Sequence, residues 1–168
     1  MKIGFVGLGN VGGKLANSLL ENNFQISVLD KNHRLMDEFK LKGAKTAKSI
    51  KDLVINSDIL ITCLPSPKIC AEVLESKDGI IETIQKDQIW IEMSTTEDEQ
   101  LKKHASLIEQ KNAIALEAPV SGGCHRAATG NISIFVGGSR EGFDKAMPVL
   151  KYLGRKILYT GDFGSASI

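Results

Sequence analysis

The chain lacks a long apolar run, a charge of one sign and a cluster of metal-binding side chains, and each shortage excludes a class of function. No stretch of the 168 residues approaches the roughly 18 consecutive apolar residues of a spanning helix, so no membrane role is expected. Lysine and arginine number 21 against 20 acidic residues, leaving a formal charge of +1. That balance speaks against a broad basic surface, and nucleic acid is not an expected partner. Cys63, Cys70 and Cys124 are an odd set without a CxxC pair, which suggests neither a disulfide framework nor a zinc site. His33, His104 and His125 are far apart in sequence, so no metal is expected. Met1-Lys2 leads directly into a short strand-like run rather than a signal peptide, and a cytoplasmic location is expected. No repeat, low-complexity tract or linker divides the chain, so residues 1–168 are expected to form one domain.

What is present is concentrated at the start. The apolar run Lys2-Ile3-Gly4-Phe5-Val6 breaks into Gly7-Leu8-Gly9-Asn10-Val11-Gly12 and continues at helical spacing through Leu15, Ala16, Leu19 and Leu20. Strand, glycine turn and helix in that order suit a dinucleotide. Gly7 allows the tight turn, Gly9 lets the backbone approach a pyrophosphate, and Gly12 allows close packing of helix on strand. A second strand, Gln25 to Leu29, delivers Asp30, 18 residues after Gly12. An acidic residue at that distance accepts hydrogen bonds from the adenosine ribose and repels a 2′-phosphate, which favours NAD. Lys31 and Arg34 are each able to reach a phosphate, so NADP stays open.

The rest alternates strand and helix patterns, predicting a doubly wound, Rossmann-type α/β fold with a mostly parallel sheet and helices on both faces. Residues 58–65 form an almost continuous apolar strand ending in Leu64-Pro65-Ser66-Pro67, where two prolines predict a non-helical loop at the ligand edge. Gln88 to Met93 is another strand, followed by Ser94-Thr95-Thr96. Thr96 with Glu99 reads as a capping box; Ser94 and Thr95 are open to either capping or cofactor contact. The strand Ala113 to Pro119 runs into Val120-Ser121-Gly122-Gly123, suited to a small carboxylate or to a plain glycine turn.

In order, Gly4 to Gly12, Cys63-Leu64-Pro65, Met93-Ser94-Thr95-Thr96 and Glu117-Ala118-Pro119-Val120-Ser121-Gly122-Gly123 resemble the signature segments of the β-hydroxyacid dehydrogenase family. The resemblance covers essentially the whole chain. It implies that Gly7, Leu8, Gly9, Asn10, Val11, Gly12, Asp30, Lys31, Leu64, Pro65 and Thr95 bind cofactor, with Thr95 toward the nicotinamide. It also implies that Ser121, Gly122 and Gly123 bind the carboxylate of a small hydroxy acid. Glu117 stands where the family commonly has aspartate and Arg126 where glycine is common, so Cys124-His125-Arg126 either alters the substrate or forms a solvated turn. The family's proton-transfer lysine is expected at or just past Ile168. No catalytic residue is therefore assigned within this chain, and the helical second domain, with the homo-oligomer contacts it supplies, falls outside it.

Three functions follow. The first is the cofactor domain of an NAD(P)-dependent β-hydroxyacid dehydrogenase, binding cofactor with little turnover alone. The second is a stand-alone dinucleotide-binding or redox-sensing module. The third is the same domain from a semialdehyde, imine or sugar-acid reductase.

Overall fold

Strands such as Ile59-Leu60-Ile61, apolar at every position, must be covered on both faces, and the architecture answers that need. The computed structural model describes residues 1–120 and 132–166. Its strands β1 (Lys2–Val6), β2 (Gln25–Leu29), β3 (Lys45–Thr46), β4 (Ile59–Thr62), β5 (Ile89–Glu92), β6 (Ile114–Glu117), β7 (Ser133–Gly138) and β8 (Lys156–Gly161) form one sheet, ordered β3-β2-β1-β4-β5-β6-β7-β8. The pairs from β3 to β6 are parallel; β7 runs antiparallel to β6 and parallel to β8. This is the doubly wound fold the alternation predicted, with one reversal at β7.

Side-chain alternation along each strand assigns the two faces. Ile3, Phe5, Ile59, Ile61, Ile89 and Ile91 point to one core, closed by α1 (Asn10–Glu21), α2 (His33–Leu41) and α7 (Arg140–Leu150). Val6, Leu60, Trp90 and Ala115 point to the other, closed by α3 (Ile50–Ile55), α4 (Pro67–Glu75), α5 (Ile80–Thr83) and α6 (Asp98–Glu109). Polar side chains cap the starts of several helices. Asn32 accepts from the N–H groups of Arg34 and Leu35, Ser49 from Asp52, and Ser139 from Gly142.

Two local readings are corrected. The Thr96–Glu99 capping box does not form: α6 begins at Asp98, Glu97 is its N-cap, and no side chain caps it. The start lies one residue later than the box requires, so Thr96 stands outside the helix. The loop after β4 is also shorter than its two prolines suggested. Pro67 occupies the first turn of α4, with Ser66 as N-cap accepting from Ile69. A proline there gives up an N–H that the helix would not have bonded anyway.

Candidate functional site

Gly7 follows β1 at a φ of +103°, and a Cβ built there would lie 2.1 Å from the carbonyl oxygen of Cys63. Gly12 is as tight, its Cβ falling 2.1 Å from the Gly7 oxygen. Both glycines are therefore demanded by the protein's own packing. At Gly9 a Cβ meets nothing within 4 Å, and φ is −67°. That glycine answers to nothing inside the protein; the open space above it leaves room for a ligand. Helix α1 begins there with no capping side chain and no acidic residue in its first turn. Its free N–H groups and positive dipole end are left for an anion.

Asp30, just past β2, already holds this loop in shape. One carboxylate oxygen accepts from the Leu8 N–H at 2.7 Å and the other from the Asn32 N–H at 2.8 Å. Each oxygen keeps a lone pair for a ribose hydroxyl. Lys31 pairs with Glu72 of α4 at 3.4 Å, and Arg34 with Glu38 at 3.7 Å. Both basic residues beside Asp30 are thus matched by acidic partners.

These parts open onto one cleft of about 910 Å³ along the carboxyl ends of β1, β2, β4 and β5. Its size is that of a small-molecule or cofactor pocket. Of the residues expected at the cofactor, Gly7, Gly9, Asn10, Val11, Gly12, Asp30, Lys31, Leu64, Pro65 and Thr95 line it. Leu8 does not; its side chain is buried in the core and its N–H is spent on Asp30. Ser121, Gly122 and Gly123, and with them Cys124, His125 and Arg126, lie outside the described residues.

The cleft also contains residues the sequence did not single out. Leu35, Ile50, Ile69 and Val73 form an apolar wall beyond Asp30, suited to a flat aromatic base. They come from three helices, α2, α3 and α4, and each was legible only as the inner face of its own helix.

Beneath the cleft, Thr62 and Glu92 stand side by side in register at the ends of β4 and β5. Glu92 is 1% exposed. Burial pushes its carboxyl above the usual glutamate range, against hydrogen bonds from Ser94 and Thr62 that pull the other way. Cys63 and Cys70 are neighbours of this group, and burial first, then the carboxyl of Glu92, pushes both thiols up to about 12. At neutral pH they are protonated and unreactive.

A strand order of 3-2-1-4-5-6, a glycine turn opening α1 and an acidic residue ending β2 define a dinucleotide-binding domain of the doubly wound class. The family model for the NAD binding domain of 6-phosphogluconate dehydrogenase matches residues 2–161, and the chain belongs to that family. Mitochondrial 3-hydroxyisobutyrate dehydrogenase of Rattus norvegicus is 34% identical over 97% of this chain and 49% of its own length. An NAD-dependent L-serine dehydrogenase of Pseudomonas aeruginosa is 30% identical over 99% and 56%. Among solved structures, 3-hydroxyisobutyrate dehydrogenase of Mycobacterium tuberculosis with L-serine superposes with a TM-score of 0.89 at 26% identity, covering 99% of this chain and 56% of that one. The chain spans about half the length of the curated relatives it matches. What the family match establishes for this chain is an NAD-binding domain. Among the described residues, no helix is long and apolar enough to cross a membrane.

Proposed function

We propose that residues 1–168 are the cofactor half of a β-hydroxyacid dehydrogenase that prefers NAD and acts on a small hydroxy acid such as 3-hydroxyisobutyrate or L-serine. The single observation that carries the cofactor part is the open space over Gly9, at an uncapped helix N-terminus, beside a carboxylate fixed 2.7 Å from the same loop's backbone. The pyrophosphate rests on the α1 N–H groups, Asp30 takes the adenosine ribose, and the wall of Leu35, Ile50, Ile69 and Val73 takes the adenine. Leu64, Pro65 and Thr95 face the nicotinamide half. The preference for NAD is supported by the pairing of Lys31 with Glu72 and of Arg34 with Glu38, which leaves a 2′-phosphate facing a carboxylate rather than an unmatched cation.

The substrate class is supported by the names of the relatives and by Ser121-Gly122-Gly123, whose hydroxyl and N–H groups suit a carboxylate. The nicotinamide, when bound, supplies hydride exchange; the protein supplies binding and orientation. The residues at the cofactor bind and orient it, and none of them takes the proton transfer that the resemblance gives to a lysine, so the cofactor domain by itself binds with little turnover.

Calorimetric titration with NADH and NADPH, with hydride transfer to NAD assayed on 3-hydroxyisobutyrate and L-serine, tests the reading. Tighter NADH binding with slow turnover is expected. NADPH binding as tight as NADH overturns the preference, and rapid turnover by the 168 residues overturns the division of labour. Tight NADH binding that small hydroxy acids never perturb favours a sensing module instead.

A further inference from the structure

We propose that Glu92 is a positioning residue for the nicotinamide half of the cofactor, its buried carboxyl clasping together the two loops on which that half rests. The proposal rests on the dinucleotide reading above. The sheet order fixes which loops these are. With the adenosine ribose at Asp30 beyond β2 and the pyrophosphate over β1 and α1, the remaining nucleoside extends the other way, across the ends of β4 and β5. Those ends carry Leu64-Pro65 and Ser94-Thr95, all of which line the cleft.

Backbone pairing between the two strands stops short of these residues, its last bond running from the Met93 N–H to the Thr62 carbonyl at 2.8 Å. Past that point the loops are joined through side chains. The Leu64 N–H donates to Ser94 Oγ at 2.7 Å, and the Ser94 N–H donates to Glu92 Oε1 at 2.9 Å. Thr62 Oγ1 lies 2.9 Å from the same Glu92 oxygen and accepts from Trp90 Nε1 at 3.0 Å. Having accepted from Trp90, the Thr62 hydroxyl has its one proton free for Glu92. One carboxyl oxygen therefore gathers the roots of both loops.

The arrangement is costly as a plain packing device. Glu92 Oε2 is buried with no hydrogen-bond partner among the described residues, and the nearby Cys70 thiol is at most a weak donor to the carboxyl. An apolar side chain would fill the place without that penalty. It would leave the Ser94 N–H and the Thr62 hydroxyl without a common acceptor, so the Leu64–Ser94 hydrogen bond would hang on a Ser94 no longer fixed to the end of β4.

The test is titration of NADH and of ADP-ribose, which lacks nicotinamide, into the wild-type chain and into Glu92→Leu, Glu92→Gln and Ser94→Ala. Glu92→Leu and Ser94→Ala are expected to weaken NADH about tenfold or more while leaving ADP-ribose within about twofold. Glu92→Gln keeps the shared acceptor and is expected to bind both ligands as wild type does. The proposal is overturned if Ser94→Ala, or a folded Glu92→Leu, binds NADH normally or loses both ligands in parallel, or if Glu92→Gln loses NADH. If Glu92→Leu does not fold, Ser94→Ala with Glu92→Gln decides the matter. A wild-type chain that binds neither ligand overturns the dinucleotide reading and this proposal together; variants that behave as a binding-competent wild type overturn this proposal alone.

Discussion

On the β1–β2 side the cleft is bounded by backbone. Gly7, Gly9 and Gly12 set the loop, and Asp30 braces it through the Leu8 N–H. On the β4–β5 side it is bounded by loops whose spacing depends on side chains buried beneath them, Glu92, Thr62 and Ser94. The first side obtains its precision from missing side chains, the second from polar ones placed where apolar residues are the rule. A backbone-built site is vulnerable to any added atom, whereas a side-chain-built site is vulnerable to the loss of one acceptor.

The largest effect is expected from Gly12→Ala. Its Cβ would meet a backbone oxygen at 2.1 Å, so helix and strand must part, lowering stability by about 3 kcal/mol and abolishing NADH binding. Denaturant unfolding and calorimetry measure the two losses. Wild-type stability in the Gly12→Ala variant would remove the packing argument for that glycine. Asp30→Asn comes next, expected to weaken NADH by about 1.5–3 kcal/mol and to narrow the gap to NADPH, as read from paired titrations. Gly9→Ala separates function from packing within one loop. Nothing in the protein crowds that Cβ, so thermal unfolding should match wild type within about 0.5 kcal/mol while NADH binding weakens about tenfold.

On the other side, Glu92 carries a pH signature. Its pKa is raised in the folded chain, so the stability tied to its proton is full below the unfolded value of about 4.3 and is lost as pH rises toward the folded value. The stability of Glu92→Gln relative to wild type should therefore grow as pH rises above the unfolded value of about 4.3, measured by thermal unfolding at a series of pH values. A difference independent of pH would show that the carboxyl ionises in the fold as it does in water. The smallest effect belongs to Glu72→Gln. Loss of an exposed pair worth about 0.2–1 kcal/mol frees Lys31 and should shift selectivity toward NADPH by a few-fold at low salt.

The contrast also explains what was legible in the sequence. A glycine cannot be replaced where the backbone must turn or approach, so the loop announced itself by residue type and spacing, and Asp30 by its distance from it. The β4 loop showed itself through Leu64-Pro65. Glu92 did not, because a glutamate ending an apolar strand reads equally well as an exposed strand end; only the register with Thr62 and the cover of α4 and α6 bury it. Thr96 misled for a related reason. A capping pattern is local, and the chain after Ser94 spends one more extended residue before α6 begins. The apolar wall of Leu35, Ile50, Ile69 and Val73 required three helices to converge, and no single window contains that.

Glu117, buried at the end of β6, accepts from the N–H groups of Gly164 and Ala166 at 2.8 and 2.7 Å through one carboxylate oxygen. Gly137 on β7 makes room for it, since a Cβ there would lie 2.6 Å from that oxygen. An edge strand such as β8 is paired on one side only, and the amides just past it ordinarily exchange with solvent by local opening. Here the segment after β8 is stapled to an interior strand two places inward. Release of Gly164 and Ala166 then requires breaking into the sheet rather than unzipping its margin. Their amides should exchange with deuterium at the slow rate of β6, and Glu117→Ala should return them to the fast rate of an unanchored loop.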